Sequence, residues 1–174
     1  MGMAGCKEVP MPCCKKHQTH DKNMLIAKTL LYAYPRISEI CTHYEKMITF
    51  RACASIASLD TTQIIAERIL DQIWRKHILE DLREQIKRLV SGFDRTIATT
   101  TSLFFLEKWA VDEIARHLRL SKSSIYRHIE KGVELVAQNL NAIGINFFTW
   151  RILIRDYKFI LREFEYQENL CMTY

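Results

Sequence analysis

Apolar residues recur along the chain at three- and four-residue spacing, the period of one helix face, and no stretch alternates with the period of a strand. The pattern is absent from residues 1–23, where Pro, Gly, Lys, Cys and His mix without period, and this segment reads as a flexible basic arm. A short helix is predicted over 24–34, closed by Pro35, which biases Tyr34 away from helical geometry. Ile37, Ile40, Cys41, Tyr44, Met47, Ile48 and Ile56 then predict a helix over 37–57. Asp60 and Gln63 have capping-box spacing, Gly92 stands at the far end, and Ile65, Ile69, Ile73, Ile78, Leu82, Ile86, Leu89 and Phe93 form one stripe between them. Asp71 with Arg75 and Glu84 with Arg88 stand at i,i+4 on the solvated side.

Residues 24–93 therefore read as a helical hairpin, its turn too short for another arrangement. Asp94 offers a cap for a helix running to about Glu107, although Thr96, Thr99, Thr100 and Thr101 are weak helix formers that tertiary packing has to hold. Helical spacing returns over 110–140 with a break near residues 119–121. Beyond Gly144, residues 147–166 are apolar on nearly every side, which one helix packed against a core does not require. The expected fold class is all-α: arm 1–23, hairpin 24–93, a helix-turn-helix unit at 94–143 and a carboxyl helix at 144–174.

The stretch from Val111 to Glu130 has the layout of a helix-turn-helix. Ile114 and Leu118 face inward, Ala115 permits close approach, Leu120 plugs the turn, Ser121 caps the second helix, and Ile125 with Ile129 packs it down. Lys122, Ser123, Ser124, Tyr126, Arg127 and Lys131 are left to face outward. Residues 119–131 carry a net charge of +3, from Arg119, Lys122, Arg127 and Lys131 against Glu130. Hydroxyls at the start of such a helix cap it and donate to phosphate, lysines add charge, and Arg can grip guanine through two donors. The same apolar pattern fits a structural hairpin, and the hydroxyl and basic residues tip the reading toward double-stranded DNA.

The run from Phe105 to Ala115, with Leu118 to Val133, resembles region 4 of bacterial sigma factors and the related phage and Gram-positive transcription regulators of the ArpU type. The resemblance covers residues 94–140. It implies a second helix, at about 122–136, that reads promoter DNA in the major groove through Lys122, Ser123 and Arg127, with Tyr126 near the backbone. The family often has Gly where this chain has Lys108 and Arg119. The acidic, aromatic segment by which sigma factors engage polymerase has no counterpart, so a regulator is expected before a sigma-like factor that contacts RNA polymerase. The reading from another class is a helical protein-interaction module that binds no DNA.

Charge adds little elsewhere. Of the net +5, residues 1–36 supply six bases against two acids, and the remainder is nearly neutral. No apolar run reaches the roughly 18 residues of a membrane span. The first 20 residues lack an apolar signal-peptide centre, so a cytoplasmic location and reduced thiols are expected. Cys41 and Cys53, twelve residues apart on one helix, stand about 18 Å from each other, beyond disulfide reach. Cys6, Cys13, Cys14, His17 and His20 offer zinc ligands, but their spacing matches no common structural site, and no metal or cofactor is expected. His43, His77, His117 and His128 scatter over helices as surface or packing residues, with His128 within reach of a phosphate. No Gly-rich phosphate loop or paired-carboxylate motif is present, and the helical amino half does not suit a serine recombinase, so no enzyme is expected. The carboxyl helix admits a second role as a homodimer interface through Trp150, Leu153, Ile154, Tyr157 and Leu161.

Overall fold

The computed structural model describes residues 14–54 and 62–172, with side chains over 22–53 and 62–170, and contains no strand among them. Its seven α-helices are α1 (Cys14–Ala54), α2 (Thr62–Ser91), α3 (Arg95–Thr101), α4 (Val111–Leu118), α5 (Lys122–Gln138), α6 (Phe147–Asp156) and α7 (Lys158–Met172). A π-helical turn (Ser102–Leu106) follows α3, and a 3-10 turn (Leu140–Ile143) follows α5.

Helix α1 corrects two expectations. It begins at Cys14, so residues 14–23 are helical instead of an unordered arm. It also runs unbroken through Pro35, joining the two helices predicted over 24–34 and 37–57. Pro35 withholds an N–H from the carbonyl four residues back, at a cost of about 3 kcal/mol. Burial on both sides outweighs that: Ala27, Leu30 and Leu31 before it, and Ile37 and Cys41 after it, all enter the core. Asp60 lies outside the described residues, as do Cys6 and Cys13, and the side chains of Cys14, His17 and His20 are not among those described.

Helices α1 and α2 run in opposite directions. The Arg83 guanidinium covers the Tyr34 ring, while Lys76 bonds Glu45 at 2.9 Å, one end matched to the other. Contact is uneven along α2. Leu79, Leu82, Ile86 and Val90 are buried, whereas Ile73 of the predicted stripe is exposed together with Leu70 and Trp74. Gln63 bonds Glu67 at 3.0 Å, and the capping box expected with Asp60 lies outside the described residues. The pairs Asp71–Arg75 and Glu84–Arg88 form, at 2.8 and 3.0 Å. Arg75 is not simply solvated, since its Nη1 donates to the Asp156 carbonyl at 3.4 Å and its own carbonyl accepts from the Tyr157 hydroxyl at 2.9 Å. Burial raises the Tyr157 phenol well above its ordinary value, so it stays a donor.

Tyr157 marks another correction. The apolar segment 147–166 is two helices, with the chain leaving helical geometry at Tyr157 (φ −121°, ψ 89°). Two short helices bury different faces, which accounts for much of the all-round apolarity. Trp150, Leu153, Tyr157, Phe159 and Ile160 enter the core of their own chain, and Ile154 and Leu161 are half-buried, so most of the side chains expected at a homodimer interface are spent internally.

The helix begun at Asp94 reaches Leu106, as expected, but its last five residues are π-helical, and Asp94 makes no side-chain cap bond. Thr99 and Thr100 turn their hydroxyls back onto the carbonyls of Arg95 and Thr96, each at 2.8 Å, a bond that Thr forms readily and that bends helices. At Ser102 the helix widens into the π turn, where the Glu107 N–H reaches the Ser102 carbonyl at 3.1 Å. Phe104 and Phe105 then meet each other and Tyr32 of α1 edge to face. Such pairs contribute about 0.5–1.5 kcal/mol each beyond their burial.

Gly132 lets α5 lie directly on α3. A Cβ there would overlap the Thr101 hydroxyl and stand 3.2 Å from its Cβ and Cγ2. Thr101 is fully buried, and its hydroxyl has no hydrogen-bond partner among the described residues. Gly132→Ala is expected to lose about 1–2 kcal/mol in chemical denaturation, because overpacking of about 1–3 kcal/mol exceeds the gain of about 1 kcal/mol in helix propensity. Thr101→Ala should stay within about 1 kcal/mol of wild type, and adding it to Gly132→Ala should recover most of the loss. A Gly132→Ala protein as stable as wild type would refute the close crossing.

Candidate nucleic-acid interface

Helix α4 is short and depends on its ends. The Ala110 N–H donates to the Glu113 carboxylate at 2.9 Å, Asp112 and Glu113 occupy the first turn, and Arg116 and His117 the last, so charge opposes the helix dipole at both ends. Ile114 is fully buried, and Trp109 packs edge-on against His117.

The connection to α5 is tight. Arg119 adopts left-handed geometry (φ 54°, ψ 41°), which lets the Leu120 N–H return to the Ala115 carbonyl at 3.1 Å and turns Leu120 half inward. Lys108, before α4, is also left-handed at φ 61°. At both positions the left-handed conformation, which favours glycine, is adopted by a residue with a side chain.

Ser121 then caps α5, its Oγ accepting from the Ser124 N–H at 3.2 Å. Ile125 is fully buried and Ile129 nearly so, continuous with Val133 and Val136. On the opposite side Lys122, Ser123, Tyr126, Arg127 and Lys131 are exposed, while Ser124 is half-buried with its Oγ 2.9 Å from that of Ser121. Ser123, Arg127 and Lys131 fall on one strip at four-residue spacing, with Lys122 and Tyr126 beside it.

Local pairing divides these residues. Lys122 bonds Asp112 at 2.7 Å and Lys131 bonds Glu134 at 2.8 Å. The Asp112 carboxylate raises the pKa of the Lys122 ammonium, which therefore stays charged to higher pH than usual. Ser123, Tyr126 and Arg127 make no side-chain hydrogen bond or ion pair with another described residue. Glu134 stands three residues after Lys131 and was open to a spacing argument, whereas Asp112 meets Lys122 only through the turn. His128 is half-buried with its Nδ1 enclosed and unpartnered among the described residues, so that atom does not face a phosphate.

Among the described residues no group of three His, Cys, Asp or Glu side chains is placed to hold a metal, and no helix is long and apolar enough to cross a membrane. Comparison with protein-family models, curated proteins and solved structures found no match to this chain. What stands is an all-helical protein in which α5 is capped, packed on one face and polar on the other.

Two predictions follow the turn and the helix. Arg119→Gly should raise stability by up to about 1 kcal/mol, since relief of left-handed strain, about 1–2 kcal/mol, exceeds the unfolded-state entropy of Gly. Arg119→Ala keeps the Cβ and should not, and equal midpoints for the two variants would remove the strain. On α5, Ile125→Ala should cost about 2–5 kcal/mol through lost burial and a cavity. Arg127→Ala should leave stability within about 0.5 kcal/mol, measured by thermal melting.

Proposed function

We propose that α4, its turn and α5 form a helix-turn-helix that reads double-stranded DNA in the major groove, and that the protein is a transcription regulator. The observation that carries this is the outer face of α5, where Ser123, Tyr126 and Arg127 stand exposed and unpaired on a helix whose start is fixed by Ser121. Arg127 is the base reader, Tyr126 lies along the backbone, Ser123 and Ser124 approach phosphate at the helix start, and Lys122 and Lys131 supply charge. The likeness to sigma region 4 and ArpU-type regulators supports the same assignment. The hairpin of α1 and α2 is the scaffold on which this unit is carried.

The pairing of Lys122 with Asp112 and of Lys131 with Glu134 favours a second reading, in which this face is a solvated surface of a helical protein-interaction module. Selection from a random DNA pool with purified protein separates the two. An autonomous reader enriches one motif, a sigma-like factor does so only when RNA polymerase is added, and an interaction module enriches none.

For the enriched site, log affinity should fall with log salt at a slope of about −0.9 per phosphate neutralised. Arg127→Ala should cost about 1–3 kcal/mol on that site and relax preference at one base pair. Asp112→Asn, which releases Lys122, should strengthen binding to every duplex by up to about fivefold, the worth of an exposed ion pair. A salt-independent interaction, or Arg127→Ala binding every duplex as wild type does, would overturn the assignment.

A further inference from the structure

A second surface lies apart from the outer face of α5. Between α2 and α6 a cavity of about 330 Å3 is lined by Trp74, Ile78, Ile145, Ile152 and Leu153, with Asp81 at its rim. Over the outer side of α6 another hollow, of about 520 Å3, is bounded by Phe148, Arg151, Ile152, Arg155 and Leu161. Ile152 belongs to both walls, so Trp74, Ile152 and Phe148 make one apolar ridge across the two helices. Trp74 is 54% and Phe148 75% exposed. Large aromatics left this open on a contiguous patch mark an interaction site.

Charge identifies the occupant. On the α2 side the patch is bordered by Asp81, and on the α6 side by Arg151 and Arg155. Arg155 is held by Asp156, while Asp81 and Arg151 form no ion pair with another described residue. A nucleic acid or an acidic peptide would meet Asp81, and a basic peptide the arginines. A second copy of this chain carries both signs in complementary order. A half-turn that lays the acidic border of one copy on the basic border of the other presents each Trp74 to the partner's ridge.

We propose that this surface is the interface of a homodimer, closed by Trp74, Ile152 and Phe148 and registered by Asp81 against Arg151 of the other copy. It draws on none of residues 121–131 and stands independently of DNA reading.

Sedimentation equilibrium of the full chain, from about 1 μM to about 200 μM, the range in which small interfaces associate, reads it directly. The mass should rise from 20.5 kDa toward twice that value. Trp74→Ser should hold it at one chain with the circular dichroism unchanged. Asp81→Arg and Arg151→Asp should each weaken association at least tenfold, and combining them should restore it. A wild type of single-chain mass throughout, association that survives Trp74→Ser, or a double exchange that fails to recover would each overturn the proposal.

Discussion

The contact between Gly132 and Thr101 sets the spacing at which α5 lies on α3, and the placing of α5 in the core depends on it. Helix α5 needs a residue without a side chain at that point, because any Cβ would enter the space of a hydroxyl that is itself fully enclosed. An enclosed hydroxyl without a partner costs on the order of 1–3 kcal/mol. The approach it permits places Ile125, Ile129, Val133 and Val136 of α5 in a common core with α1 and α3. The π turn follows Thr101 directly, and the edge-to-face contacts of Phe104 and Phe105 with Tyr32 fasten it to α1. The outward face of α5 is therefore aimed by packing beneath it.

Much of this was legible in the sequence because it is local. The cap at Ser121, the inward Ile114, Ile125 and Ile129, and the two i,i+4 pairs of α2 follow from spacing alone. Where distant segments decide the outcome, spacing fails. Pro35 predicts a break that burial of Leu31 and Ile37 overrides, and residues 147–166 look like one helix because nothing local announces the turn at Tyr157. Gly132 resembles any glycine within a helix until Thr101 is seen against it.

The candidate site divides in the same way. Which side chains of α5 point outward is a matter of period, and Lys122, Ser123, Tyr126, Arg127 and Lys131 do so. Which of them are unencumbered is not, since Asp112 reaches Lys122 across a turn whose left-handed residue is an arginine. Local strain and local pairing meet at one place, the connection between α4 and α5.

The length of α1 bears on how the chain acquires its fold. Arg36 covers the ring of Phe159, 123 positions further along, and α7 lies against the same helix. During synthesis at about 5–20 residues per second, roughly 6–25 s separate the appearance of those two residues. Thr29, Leu30 and Leu31 of the same helix are wholly enclosed in the finished molecule. Helix α2 follows at once and covers one side of α1, but the face that receives α7 is closed only when the chain has been made through α7.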